Sequence, residues 1–171
     1  MSRTSAREHA FRILFQLQFV KDDAETSVRQ YLDSFTDEET DEKDLDFILQ
    51  EVKGVKEQEP LLDQTISKAL KGWSLYRLSK VDLSILRVAV YEILFDPEIP
   101  ETVSINEAIN LAKKYSQDAA PGFINGVLAG VVSPASEEAE ETEPEIRDKH
   151  TERSCCRRLL FLRFTAEKPD S

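Results

Sequence analysis

The sequence predicts an all-α protein: a compact bundle of six to seven short helices over residues 1–132, followed by a disordered extension over residues 133–171. Three observations carry that prediction. Apolar residues recur three and four positions apart through most of the first 132, the period of a helix buried on one face. Glycine numbers only 5 and proline 7, too few for a turn-rich β architecture. Helix-opening and helix-breaking residues then cut the apolar stripes into segments of ordinary helix length with short connections, as in a bundle.

The first helix is expected over residues 5–21, with Ala6, Ala10, Ile13, Leu14, Leu17 and Val20 on its apolar face. A second row on the same helix climbs four residues at a time through Arg3, Arg7, Phe11, Phe15 and Phe19. The DDAET stretch stops this helix and opens a short one over residues 26–35. The acidic run TDEETDEKD reads as a solvated loop or a helix start. A third helix follows on the stripe Leu45, Ile48, Leu49, Val52 and Val55. Pro60 interrupts it and suits the first turn of a new helix, where a missing N–H is harmless. Leu61, Leu62, Ile66, Ala69 and Leu70 form the next stripe, which Gly72 ends as a residue tolerant of the left-handed conformation.

Ser79 opens the fifth helix, with Asp82 three residues on in a near capping box. Val81, Ile85, Val88, Ala89 and Ile93 line its buried face, and Pro97 and Pro100 end it. Ser104 and Glu107 form an S-x-x-E box predicted to start the sixth helix, whose Ile105, Ala108, Ile109 and Ala112 face inward. Asp118 to Gly122 reads as a break, and Phe123, Ile124, Val127 and Leu128 lead the last helix. Gly122, Gly126 and Gly130 stand at helical spacing and predict a close-packing face. From Ser133 the composition changes to SPASEEAEETEPE, which is too polar to bury a core, and then to a basic and apolar run around CCRRLLFLRF.

Bulk properties narrow the function. A length of 171 residues with 40% hydrophobic and 32% charged side chains suits one soluble domain. No stretch approaches the roughly 20 apolar residues of a membrane span. Arg3, Arg7, Glu8, His9 and Arg12 interrupt any apolar run near the start, so no signal peptide is expected. The only cysteines, Cys155 and Cys156, are adjacent and make a poor structural staple. A reducing, cytoplasmic setting is therefore expected.

The net charge of −11 lowers the expectation of nucleic-acid binding, but the charge is uneven. Residues 1–20 hold Arg3, Arg7 and Arg12 against Glu8 alone, whereas residues 33–46 hold eight acids against Lys43. A small basic end on an acidic body can contact phosphates weakly and with strong salt dependence.

Nothing in the chain reads as catalytic. His9 and His150 lie far apart, and no Ser/His/Asp, Cys/His or H-E-x-x-H arrangement occurs. The acidic run lacks the central glycine and terminal glutamate of an EF-hand loop. No enzyme, metal or cofactor is expected. The basic helix offers more. Arg3, Arg7 and Arg12 read most simply as a solvated face, yet beside a half-buried phenylalanine they suit single-stranded RNA, with guanidinium on phosphate and ring on base.

Residues 77–132 sharpen this reading. Their signature, SINEAINLAKKY followed by FINGVL, resembles the C-terminal half of the NusB family of bacterial transcription antitermination factors. The resemblance spans residues 6–132, strong from 77 to 132, moderate in the first helix and weak between. It implies a non-enzymatic protein that binds boxA-type RNA of ribosomal RNA operons. Its partner would be NusE, a small-subunit ribosomal protein, within an antitermination complex on RNA polymerase. It places RNA contacts at Arg3, Arg7, Phe15, Asp118 and Phe123, to which the reading of the basic helix adds Arg12. Phe15 stands where the family has a tyrosine, and Thr4 where it has an arginine. It places partner contacts at Asp82, Tyr91 and Glu92, an acidic face that suits a basic ribosomal protein. Self-association through the RNA face, as in some relatives, stays open. Two alternatives accompany this reading. One is a protein-interaction bundle without RNA binding, which the thinned arginines favour. The other is a fragment resembling the N-terminal domain of ribosomal RNA cytosine methyltransferases, against which the absence of a following catalytic domain counts.

Overall fold

Helix α1 (Arg3–Gln16) begins where Ser2 accepts a hydrogen bond from the Ser5 amide at 3.1 Å, satisfying one of the orphan donors of the first turn. It ends earlier than expected. Leu17 caps it, and the chain then turns through Gln18 and Phe19, with the Phe19 amide donating to the Gln16 carbonyl at 2.9 Å. The turn lets the Gln18 amide reach the Lys80 carbonyl at 2.9 Å and the Ser84 hydroxyl at 2.5 Å. A tertiary anchor therefore overrides the helical pattern, and Val20 is left exposed rather than on the apolar face, with Phe19 exposed beside it.

This computed structural model describes residues 1–20, 22–35 and 41–133. The extension beyond residue 133 and most of the acidic run, with what was expected of them, lie outside the described residues. Helix α2 (Ala24–Phe35) starts on Asp23, whose carboxylate accepts from the Thr26 amide at 3.0 Å. Helix α3 (Glu42–Glu57) is capped by Asp41, which accepts from the Asp44 amide. Helix α4 (Glu59–Ala69) carries Pro60 in its first turn, as expected, and is followed by Lys71 and Gly72 at φ 41° and 89°. The left-handed conformation at position 72 is the one for which glycine has no Cβ penalty.

After a short 3-10 turn (Leu75–Arg77), helix α5 (Lys80–Phe95) opens on Ser79, which accepts from the Asp82 amide at 3.0 Å. The predicted cap is formed. Helix α6 (Glu101–Tyr115) instead starts one turn before its predicted box, with Pro100 at the N-cap. Ser104 and Glu107 lie inside it, Ser104 buried and Glu107 bonded to α1 rather than to its own helix end. The S-x-x-E letters serve tertiary contacts here, which a reading of local signals does not detect. Helix α7 (Ala120–Val132) closes the bundle.

The centre is α5, which packs against α1, α3, α4, α6 and α7. Beyond its predicted stripe it also buries Leu86 and Val90 completely. Each such side chain contributes about 1.5–3 kcal/mol on leaving water, which explains why this helix is apolar on nearly every side. On its outer flank Arg87 forms a two-pronged bond to Asp63 at 2.8 Å per arm, tying α5 to α4. The glycine face expected on α7 is not formed as a whole. A Cβ on Gly130 would meet Ala69 at 3.5 Å, but Gly122 and Gly126 face open space.

Candidate nucleic-acid interface

The row Arg3, Arg7, Phe11, Phe15, Phe19 does not lie on one kind of surface. Arg3 is exposed, its guanidinium 4.6 Å above the Phe47 ring of α3. Phe11 is buried, Phe15 half-buried and Phe19 exposed, with neighbouring rings 6.5 and 5.2 Å apart. Arg7 is a correction. It is 4% exposed, its Nε donates to Glu92 Oε1 at 2.5 Å, and its Nη1 donates to Glu107 Oε2 at 3.2 Å. A guanidinium held inside by two carboxylates presents nothing to a phosphate, so the expected RNA contact at Arg7 is not available in this fold.

The same geometry corrects the partner face. Glu92 is fully buried as the acceptor of Arg7, and Tyr91 is 8% exposed. The Tyr91 ring stacks on Phe95 at 5.3 Å and lies over Gly54 of α3. Both residues hold the bundle together and neither offers a surface to a partner. Asp82 stays partly exposed. Its two oxygens accept from the hydroxyls of Ser79 and Ser116, each at 2.7 Å, so it closes the start of α5 onto the end of α6.

Around Arg7 a third carboxyl, Glu51 of α3, is buried to 1%, and its Oε2 has no hydrogen-bond partner. Burial first, and then the Glu92 charge, push this carboxyl well above its ordinary range, against the pull of Arg7. Burial likewise raises Glu92, with Arg7 opposing. A carboxyl raised in the folded state contributes stability that is fully present below its ordinary value of 4.5 and is lost as pH rises through the folded value. Glu51→Gln carries no charge to desolvate. It should therefore melt higher than the parent at pH 7–8, by about 1–3 kcal/mol or roughly 2–8 °C, with the gap closing towards pH 4. Melting curves across that range check it; a variant less stable than the parent at pH 8 would show that Glu51 is a paired anion instead.

Outward of this cluster, α1 meets the end of α6 in a second polar group. Arg12 donates from Nε to the Tyr115 hydroxyl at 3.0 Å, from Nη1 to the Tyr31 hydroxyl at 3.3 Å, and from Nη2 to Glu8 Oε1 at 2.5 Å. Lys114 donates to both Glu8 oxygens at 2.8 Å, and the Tyr115 hydroxyl donates to Glu8 Oε1 at 2.5 Å. Partial burial works against the Glu8 charge, but hydrogen bonds from Lys114 and Tyr115 and the cations beside it hold the carboxyl below its ordinary value. The Tyr115 ring lies 5.1 Å from Phe11, so this flank joins the aromatic row of α1. Asp118 follows in an exposed position, and Phe123, half-buried, stands in the first turn of α7.

The structure thus brings together Arg12 and Phe15 along one edge, with Asp118 and Phe123 in the segments that follow α6. Arg3 stands apart over α3. Glu8, Lys114 and Tyr115 were missed as site residues. The signal was present in the two cations and the tyrosine of AKKY at a helix end, beside an arginine helix whose single acid is Glu8. Among the described residues no group of three or more His, Cys, Asp or Glu is placed to hold a metal, and no helix is long and apolar enough to cross a membrane.

A helical bundle that gathers cations and aromatic rings along one helix edge carries side chains of the kinds that can hold an anion and stack a flat ring. Comparison with known proteins narrows that class to one family. The NusB family model matches residues 4–133. The transcription antitermination protein NusB of Ruminiclostridium cellulolyticum is 45% identical over 131 residues, covering 77% of this chain and 88% of that protein. The corresponding protein of Acetivibrio thermocellus is 45% identical over 132 residues, covering 77% and 89%. The solved structure of Thermotoga maritima NusB superposes with a TM-score of 0.68 at 38% identity, covering 77% of this chain and 90% of that one. A structure of NusB and NusE in complex with double-stranded RNA shares the fold with a TM-score of 0.70 at 22% identity, covering 77% and 96%. The chain belongs to the NusB family.

Proposed function

We propose that this protein is a cytoplasmic, non-enzymatic transcription antitermination factor. It binds boxA-type single-stranded RNA of ribosomal RNA operons together with NusE and helps assemble the antitermination complex on RNA polymerase. Family membership supports the role, and the names of the relatives carry it. The supporting observation within this chain is the edge where Arg12, Lys114 and Tyr115 converge beside Phe11 and Phe15. Guanidinium and ammonium groups suit phosphates, and a half-buried ring suits an unpaired base. Arg3, Arg12, Phe15, Asp118 and Phe123 are the RNA-facing residues in this reading.

Asp82 is the partner-facing residue, supported by exposed apolar side chains nearby. Tyr76 is 97% exposed just before α5, and Phe19 is 64% exposed with Lys80 at 6.0 Å from its ring centre. Exposed rings of this kind are a surface that a partner would mask on binding, and Asp82 adds an acid that suits a basic ribosomal protein. An acidic body then needs no strong RNA site of its own, because the partner completes it.

Anisotropy titrations of a labelled boxA-type RNA, with and without NusE, test the reading over a salt series. The expected result is weak binding alone, tighter binding with NusE, and a log–log salt slope of about −0.7 for each phosphate held. Absence of binding even with NusE would sink it. The withdrawal of Arg7 into the interior favours one rival, an interaction bundle that pairs with NusE and ignores RNA, and the same titration separates the two.

A further inference from the structure

We infer that the Glu8 carboxylate occupies the seat of an RNA phosphate and that single-stranded RNA binds by displacing it from Arg12, Lys114 and Tyr115. This rests on the RNA-binding reading above and deepens it by naming the anion site and what guards it. The donor set is that of an oxyanion site. Arg12 Nη2, the Tyr115 hydroxyl and Lys114 Nζ meet on one carboxylate oxygen at 2.5, 2.5 and 2.8 Å, and Lys114 reaches the second oxygen at 2.8 Å. Those donors come from two helices whose positions other contacts fix. Arg12 is braced by the Tyr31 hydroxyl and Tyr115 by the Phe11 ring. The seat is therefore preorganised before any ligand arrives.

It also opens to solvent. The Arg12, Lys114 and Glu8 side chains are 38%, 57% and 19% exposed. Two cations facing one carboxylate leave a surplus of one positive charge, and a phosphodiester carries the same single charge as the group it replaces. The exchange keeps the cations paired, and freed Glu8 needs only to rotate towards water. A phosphate on this seat lies on the flank of the ring row of α1, whose half-buried Phe15 can stack the attached base. Glu8 then acts as a gate: it satisfies the cations when RNA is absent and sets a threshold that weak or non-specific strands fail to pass. The threshold is electrostatic, so it works on affinity and salt response together.

The test is a salt series of titrations with a boxA-type single-stranded RNA and NusE, comparing the parent with Glu8→Gln and Lys114→Ala. Glu8→Gln removes the competitor and is expected to bind about fivefold tighter near 0.15 M salt, since an exposed ion pair of this kind is modest. Its log–log slope should steepen by roughly 0.7 as an unopposed phosphate contact forms. Lys114→Ala removes one cation and should weaken binding and flatten the slope. Lys114 is exposed and outside the core, so this variant decides the matter should Glu8→Gln not fold. If the parent binds while Glu8→Gln binds no tighter at an unchanged slope, or Lys114→Ala binds as the parent does, the phosphate seat is wrong and the RNA reading stands. If the parent itself does not bind with NusE present, both fall.

Discussion

Arg7→Ala should destabilise the bundle by about 3–5 kcal/mol, the scale for removing one partner of a buried ion pair. A domain of this size has roughly 5–15 kcal/mol in total, so the variant would be marginal at best. The loss comes less from the attraction that disappears than from the two acids left behind. Glu92 is fully buried with one oxygen already lacking a partner, and Glu51 lies close enough to repel it. Without the guanidinium, the Glu92 carboxyl, which burial already raises, moves further up. The sign follows directly. A raised carboxyl contributes stability present below its ordinary value and lost as pH rises through the folded value, so the deficit is smallest in acid and grows towards neutrality. Glu92→Gln in the same chain should recover part of the loss. Chemical denaturation at pH 5 and pH 8 measures both effects. A variant as stable as the parent but with a flatter RNA salt slope would return Arg7 to the surface and overturn its burial.

That expectation shows where the sequence was legible and where it was not. The stripes of α3, α4 and α5 are local patterns, and the helices formed on them because burying Ile48, Leu62 or Ile85 depends on periodicity that a single segment displays. The Ser79 cap was equally legible, since its partner stands three residues away. Arg7 was misread because its acceptors are Glu92 and Glu107, 85 and 100 residues distant. An arginine on a terminal helix is solvated by default, and only tertiary structure says otherwise. A clue existed all the same. Glu92 sits inside the apolar run VAVYEILF and Glu51 on the stripe between Ile48 and Val55. Two acids on buried faces require a cation, and Arg7, between Ala6 and Ala10 on the apolar face of α1, is placed to supply it. Glu107 was assigned to a cap for the same reason in reverse: its local spacing offered an explanation before its distant partner was known.

The candidate site divides along the same line. Arg12 and Phe15 were read from the helix that carries them, and the fold sets them on an open edge. Lys114, Tyr115 and Glu8 form a site only by convergence, since α1 and the end of α6 meet there through side chains more than 100 residues apart in sequence. The resemblance implies a partner surface at Tyr91 and Glu92, which share a helix with Asp82. Yet α5 is central, and neighbours cover all but its first turn and outer flank. A residue's helix therefore does not decide its exposure; the number of neighbours around that helix does.

Gly54→Val is expected to cost about 3 kcal/mol, at the upper end of overpacking in a core. Gly54 lies in the last turn of α3, where glycine is still unfavourable by up to about 1 kcal/mol relative to alanine, so its presence calls for a tertiary reason. The reason is Tyr91: a Cβ at position 54 would run into the end of its ring, at the ring carbon bearing the hydroxyl and at the hydroxyl itself. The ring cannot easily give way. It is stacked on Phe95 at 5.3 Å and buried between α3 and α5. A branched side chain at position 54 must therefore push the two helices apart, and Glu51, one turn earlier on α3, moves with them. The displacement would open the space around Glu51, Glu92 and Arg7 to water, so the variant should lose part of the pH dependence that the buried carboxyls impose as well as stability. Tyr91→Leu shortens the side chain that Gly54 accommodates. In combination with Gly54→Val it should recover a measurable share of the loss, even though Tyr91→Leu alone is destabilising through lost packing. The four proteins of this double-mutant cycle can be compared by thermal melts. Strict additivity, with no recovery in the double variant, would mean that Gly54 is required for a reason other than the close approach of α3 and α5.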